Sequence, residues 1–160
     1  MVNMPRLQAT PAEIEKHFRQ LADTPRRIAV CTAHLTDEQL HAKLSSREWS
    51  ASEILAHLRA CDAVWTHSIY AMLAENQPEL PLLDERRWAK AIRYVDREFV
   101  AALQAFTQLR AELVSVLGAL PIESWSRTAN IGGRTHSVFS QARRMALHEA
   151  EHCAQLEARL

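Results

Sequence analysis

At 160 residues the chain has the length of one ordinary domain, and an apolar share of 48% is enough to fill a single core, so one domain over residues 1–160 is expected. Nineteen basic residues balance nineteen acidic ones and no basic stripe is visible, which argues against a nucleic-acid partner. No apolar run approaches the roughly 20 residues that span a bilayer, and MVNMPRLQAT has no apolar signal core, so the expectation is a cytoplasmic protein with no membrane segment.

Only three residues are Gly, while Ala, Leu, Arg, Glu and Gln abound, the palette of an all-α chain. The first helix opens at Thr10-Pro11, a capping residue followed by proline at the first helical position, and carries Ile14, His17, Phe18 and Leu21 on one side. Thr24-Pro25 repeats that signal, so a kink or restart is expected there before the helix ends near Leu35. Thr36 to Gln39 reads as a capping box for a short helix. Ser50 and Glu53 form a second capping box, with Trp49 and Ile54 placed to close as a hydrophobic staple. The second long helix therefore runs from Ala51 to about Glu75, with Ile54, Leu58, Cys61, Trp65 and Met72 as its stripe.

Pro78 to Leu83 reads as a loop, and Asp84 as the cap of a third long helix ending at Gly118. Ile92, Val95, Phe99, Leu103, Phe106, Leu113 and Leu117 would be its buried face, and Trp88 too falls at core spacing. Pro121 to Trp125 reads as one turn and Ser126 to Arg134 as a polar loop holding the paired Gly132-Gly133. The last helix starts near Thr135. Four long helices with modest connections make an antiparallel four-helix bundle.

Eight histidines direct attention to metal or proton chemistry. In His148-Glu149-Ala150-Glu151-His152 the two imidazoles lie one turn apart on one face, so both can reach one ion. His57 lies beside the stripe of the second helix, where an imidazole next to the core must be bonded or ligated. Together they suggest a three-histidine site. The pentapeptide also spells HExxH, but a zinc peptidase takes its third ligand from a later segment, and only eight residues follow His152. Helical phase turns Glu149 toward the apolar stripe, which suits an interhelical or ligand-supporting role. Cys61, one turn after His57, is a fourth ligand, a thiol near the metal, or core packing. Cys31, Cys61 and Cys153 are odd in number and far apart, so no disulfide framework is expected. His17, His34, His41, His67 and His136 lack partners at ligand spacing and read as surface or structural residues.

Trp49-Ser-Ala-Ser-Glu-Ile-Leu-Ala-His57-Leu resembles the start of the second helix in the DinB-like superfamily, and His148-Glu-Ala-Glu-His152-Cys-Ala-Gln155-Leu resembles its final-helix motif. Glu149 departs from the Asp found there in many members. The resemblance covers nearly the whole chain and implies an up-down-down-up bundle, often a homodimer. It also implies a divalent ion (zinc, nickel or similar) held by His57, His148 and His152. It further brings thiol S-transferases that use bacillithiol or mycothiol, and mycothiol-dependent maleylpyruvate isomerase, as functional associations.

Three neutral imidazoles leave an ion dipositive with open positions, fit to activate a low-molecular-weight thiol or a water toward a small-molecule substrate. Arg144, one turn before His148, either holds an anionic group of the substrate or cofactor thiol or is a solvated residue beside Arg143. Three readings follow: a metal-dependent thiol S-transferase, a metal-dependent hydrolase, and a non-catalytic, stress-related metal-binding protein.

Overall fold

The computed structural model describes residues 9–159; the stretch read as lacking a signal core lies mostly outside the described residues. Its elements are α1 (Pro11–Thr32), α2 (Asp37–His41), α3 (Ala51–Ala74), β1 (Glu79–Leu80), α4 (Glu85–Ile92), α5 (Phe99–Gly118), β2 (Thr128–Ile131), β3 (Arg134–Ser137) and α6 (Val138–Glu157). The long helices α1, α3, α5 and α6 form a four-helix bundle. Among the described residues no helix is long and apolar enough to cross a membrane.

Cross-helix contacts give the helix directions. His17 faces Phe139, Thr24 bonds Glu149 and Arg27 pairs with Glu157, so α1 and α6 run parallel. Trp49 lies against His152, and His57 against His148, so α3 opposes α6. Arg110 meets Leu21 while Gly118 sits against Phe18, so α5 opposes α1. The topology is up-down-down-up. Leu21, Ile28, Leu58, Ile69, Met72, Leu113 and Met145 are fully buried, each contributing roughly 1.5–3 kcal/mol of apolar transfer.

The helix starts follow the capping chemistry. Ser50 Oγ accepts from Glu53 N at 3.1 Å while Glu53 Oε2 accepts from Ser50 N at 2.8 Å, which fixes where α3 begins and hence where His57 falls. Thr36 with Gln39 starts α2 in the same manner, and Thr10 Oγ1 caps α1 by accepting from Glu13 N. Of the kink or restart expected at Thr24-Pro25, the restart does not occur: α1 continues through Pro25. Proline has no N–H for the Leu21 carbonyl, and Arg110 Nη1 donates to that oxygen instead, at 3.0 Å.

The third helix, by contrast, is broken. α4 ends at Arg93, whose φ of 57° is left-handed, a 3-10 turn spans Tyr94–Asp96, and α5 restarts behind a new cap at Glu98. Ile92 and Val95 are consequently exposed, and Trp88 lies largely outside the core. The polar loop is also corrected: β2 and β3 form a hairpin on Gly132-Gly133, with φ of 57° and 85° as a two-residue turn of mirror-image type demands. β1, inside the expected 78–83 loop, pairs parallel to β2. The last helix accordingly begins at Val138, three residues later than expected. Arg127, just before the hairpin, donates to the carbonyls of Met72 and Glu75 and closes the end of α3.

Candidate metal centre

Antiparallel packing of α3 against α6 brings the three expected histidines together. His57 Nε2 lies 3.0 Å from His148 Nε2, which lies 3.2 Å from His152 Nε2. Two nitrogens held tetrahedrally at ~2.0–2.1 Å from one zinc ion stand about 3.3 Å apart, so these separations are near those of a shared ion. Burial first, and then the neighbouring His152, push the His57 and His148 imidazoles down to about 4, so both are neutral donors at pH 7. Gln155 Oε1 lies 2.9 Å from His152 Nδ1; a proton on Nδ1 donated to this oxygen leaves the Nε2 lone pair facing its two neighbours. Neutral imidazole nitrogens turned toward one another share few protons, a shortage that a cation at the cluster would relieve. The residues present fit a divalent metal.

Aromatic rings fix the imidazoles. The Trp49 ring, introduced as a helix staple, stacks on His152 at 6.0 Å and meets the edge of His57 at 4.9 Å. Trp65 meets the edge of His148 at 5.0 Å. The sequence pattern assigns Trp65 to the core and Trp49 to the helix staple; only the pairing of α3 with α6 shows that both also wall the histidine cluster.

A cleft of about 610 Å³ opens beside the cluster, lined among others by His57, Cys61, Trp65, Leu83, Arg144 and His148. Its rim is made by α4, the short helix that replaces the first part of the expected third helix. Glu85 Oε1 accepts the Trp65 indole N–H at 2.8 Å, and Arg144 stacks on the Trp65 ring at 4.5 Å with its Nη2 4.0 Å from Glu85. Arg144 is thus held at the cleft while its side chain stays about half exposed (48%). Sequence reasoning missed Glu85 as a cleft residue, because its role appears only when α4 folds back over α3. A larger groove of about 730 Å³ lies elsewhere, between α1 and α5, and has no titratable side chain in its lining.

Cys61 is buried, with Sγ 3.6 Å from His57 Nε2. His57, Cys61 and His148 each place one donor atom within 4.8 Å of the others. Burial pushes the Cys61 thiol up to about 12, so without a cation it stays protonated. Of the remaining histidines, His34, His41 and His67 are exposed, His136 is half-buried, and His17 is buried beside Gln20.

Glu149 faces away from this cluster. Its carboxylate takes Arg110 Nη2 at 2.5 Å and Nη1 at 2.7 Å, with Thr24 Oγ1 at 2.8 Å, and Asp62 takes Arg110 Nη2 at 2.7 Å. Burial alone would lower the Arg110 pKa; the Glu149 and Asp62 carboxylates outweigh it and hold the guanidinium above its ordinary value. The Glu of the HEAEH pentapeptide is therefore an interhelical ion-pair partner, placed as helical phase predicts, and is not a base facing the cleft.

Fold and site together define a class: a four-helix bundle with a histidine cluster between two antiparallel helices, beside a cleft. The chain belongs to the DinB superfamily, whose profile matches residues 8–156. Among solved structures it is similar to YfiT from Bacillus subtilis, described as a probable metal-dependent hydrolase with an unusual four-helix bundle topology. The TM-score is 0.83 at 17% identity, covering 98% of this chain and 92% of that one, a likeness of fold. No curated protein matches the chain significantly.

Proposed function

We propose that the chain is a metal-dependent enzyme in which His57, His148 and His152 hold a divalent ion that activates a small thiol for transfer to an electrophilic small molecule. The observation that carries this reading is the convergence of three Nε2 atoms, 3.0 and 3.2 Å apart, beside a cleft of about 610 Å³. The ion supplies Lewis acidity that lowers the pKa of a thiol or a water near neutral pH. The histidines bring no negative charge of their own, so that acidity is retained. Gln155 holds His152 in the donor tautomer, and Trp49 covers the cluster on the side away from the cleft. Arg144, steadied by Trp65 and Glu85, presents its guanidinium at the cleft, where it binds a carboxylate of the thiol or substrate.

The test begins with zinc- or nickel-loaded protein, supplied with a small carboxylate-bearing thiol and an electrophile. Thiol and electrophile should disappear one for one, only with the ion present. His57→Ala, and His148→Ala with His152→Ala, should lose both the bound metal and the turnover. Unchanged metal stoichiometry in those variants would refute the centre itself. Ester or amide turnover with no thiol present would make the protein a hydrolase, as YfiT is described. Bound metal with neither turnover would make it a non-catalytic metal binder.

A further inference from the structure

We propose that Glu85 is the general base of the cleft, its free carboxylate oxygen taking the proton of the thiol that binds beside the histidine cluster. The inference rests on the thiol-transfer reading of that site and goes beyond it by assigning the proton acceptor.

A free thiol, with a pKa of about 8.5, reaches the cleft mostly protonated at neutral pH, and a positioned base speeds its ionisation. The Glu of the HEAEH pentapeptide is not that base, since both its oxygens bind Arg110 away from the cleft. Two carboxylates line the cleft, Asp84 and Glu85. Asp84 is exposed and caps α4, its Oδ1 accepting from the backbone N–H groups of Arg86 and Arg87 at 2.9 and 3.0 Å. Glu85 is the one left for chemistry.

Its carboxylate is held by one oxygen and free at the other. Oε1 accepts the Trp65 indole N–H at 2.8 Å and lies 4.0 Å from Arg144 Nη2. Oε2 accepts no hydrogen bond among the described residues, and the side chain is 23% exposed. Such an arrangement fixes a base in place without using up its lone pairs.

Trp65 joins this carboxylate to the cluster, because its N–H bonds Glu85 while its ring meets the edge of His148 at 5.0 Å. The Glu85 charge is also felt there. After burial it is the largest influence raising the Cys61 thiol, and it works against the burial that lowers His57. The other charged or titratable groups lining the cleft are Asp84 and Arg86 beside it, His57 and Cys61 on α3, and Arg144 and His148 on α6. A thiol at the cleft face of the histidines fills the space between them and Glu85, with contact made directly or through one water. The S–H bond breaks, its electron pair stays on sulfur, and the proton passes to Oε2. That proton then leaves to solvent or to the group displaced from the electrophile. Glu85 donates nothing to the ion, so the open positions that a thiol needs stay open.

Glu85→Gln tests the assignment, because the amide oxygen still accepts the Trp65 N–H while the base is lost. Cobalt-loaded protein is mixed with a small carboxylate-bearing thiol and no electrophile, and the rise of the thiolate-to-cobalt band in the near ultraviolet is followed by stopped flow. At pH 6.5, where such a thiol is ~1% ionised, the variant should form the band about 10–100-fold more slowly, with cobalt content and final amplitude unchanged. Removing a negative charge would by itself speed the entry of an anionic thiol, so slowing is the mark of a lost base. Raising the pH past about 8.5 should close the gap, because the thiol then arrives already ionised. Equal rates at pH 6.5 overturn the proposal and leave the thiol reading standing. A deficit that persists unchanged at high pH also overturns it, as does loss of cobalt from the variant, since either would make Glu85 a structural support. Bound cobalt with no band in the wild-type chain at any pH overturns the thiol reading, and failure of that chain to bind cobalt overturns the histidine centre; this proposal falls with either.

Discussion

Replacing Arg110 with methionine removes a guanidinium that binds four oxygens inside the bundle: both of Glu149, one of Asp62 and the carbonyl of Leu21. Methionine fills much of the volume, so the loss is electrostatic more than steric. Two carboxylates are left buried without a counter-charge, and the Leu21 carbonyl, already deprived of a helical partner by Pro25, is left bare. Removing one partner of a buried pair costs about 3–5 kcal/mol, and the orphaned carbonyl adds ~1–3 kcal/mol. For a domain of this size that is a large part of the whole stability. Urea unfolding should show a midpoint shift equivalent to at least ~3 kcal/mol with little change in slope, and a melting temperature lower by roughly 6–20 °C. Adding Glu149→Gln removes one of the stranded charges, so the double variant should be more stable than Arg110→Met alone. A loss under ~1 kcal/mol, or strictly additive effects of the two substitutions, would refute the view that these charges act as one unit.

Gln155→Ala should weaken zinc binding about 10–100-fold in competition with a chromophoric chelator, because His152 loses the group that fixes its tautomer; unchanged affinity would show that Gln155 has no such role. Gly132→Ala should destabilise by at least ~1–2 kcal/mol from its left-handed backbone alone, with more from a Cβ 2.7 Å from Leu82 Cβ. Gly133→Ala, also left-handed but meeting nothing within 4 Å, should cost less, and the reverse order in thermal melts would contradict the hairpin geometry. The metal-free chain should lose stability as pH falls from about 6.5 toward 4: the unfolded chain protonates His57 and His148 near 6.5, whereas the folded chain resists until about 4. Urea midpoints at pH 7 and 5.2 in the presence of chelator should diverge for wild type and much less for the double His57→Ala, His148→Ala variant. Arg144→Ala should raise the thiol concentration needed for half-maximal turnover several-fold while leaving metal affinity unchanged.

Features written in neighbouring residues were legible in the sequence. The Ser50–Glu53 box sets the start of α3, and the four-residue spacing of His148 and His152 puts both on one face, because both depend on helix geometry alone. The place of His57 beside that pair rests on the capped start of α3 and on the family resemblance. The break at Arg93 was not legible, since a left-handed non-glycine residue with no proline nearby gives no local signal. Nor was the hairpin: its strands are four residues each, and only Thr128–Ile131 alternates polar with apolar, over too short a run to stand out beside the glycine pair. The Arg110 cluster depends on Asp62 and Glu149, which only the finished fold brings to one guanidinium, and on Thr24, which bonds Glu149. The position of Glu85 over the site likewise depends on the break that the helical pattern concealed.

The parallel contact of α1 with α6 bears on how the chain reaches its native state. The bond from Thr24 to Glu149 closes 125 residues of chain, and the Arg27–Glu157 pair closes 130. Closing so long a loop costs only ~0.6 kcal/mol more for each doubling of its length, so thermodynamics tolerates it. Kinetics is less tolerant, because native pairings distant in sequence slow the search. A bundle whose neighbours follow one another can zip from hairpin to hairpin, whereas here α1 packs on α5 and α6, both distant in the chain, and its parallel seam with α6 forms only when the last helix docks. His57 acquires the donors of α6 in that same late step, so metal capture should report the closing stage of folding.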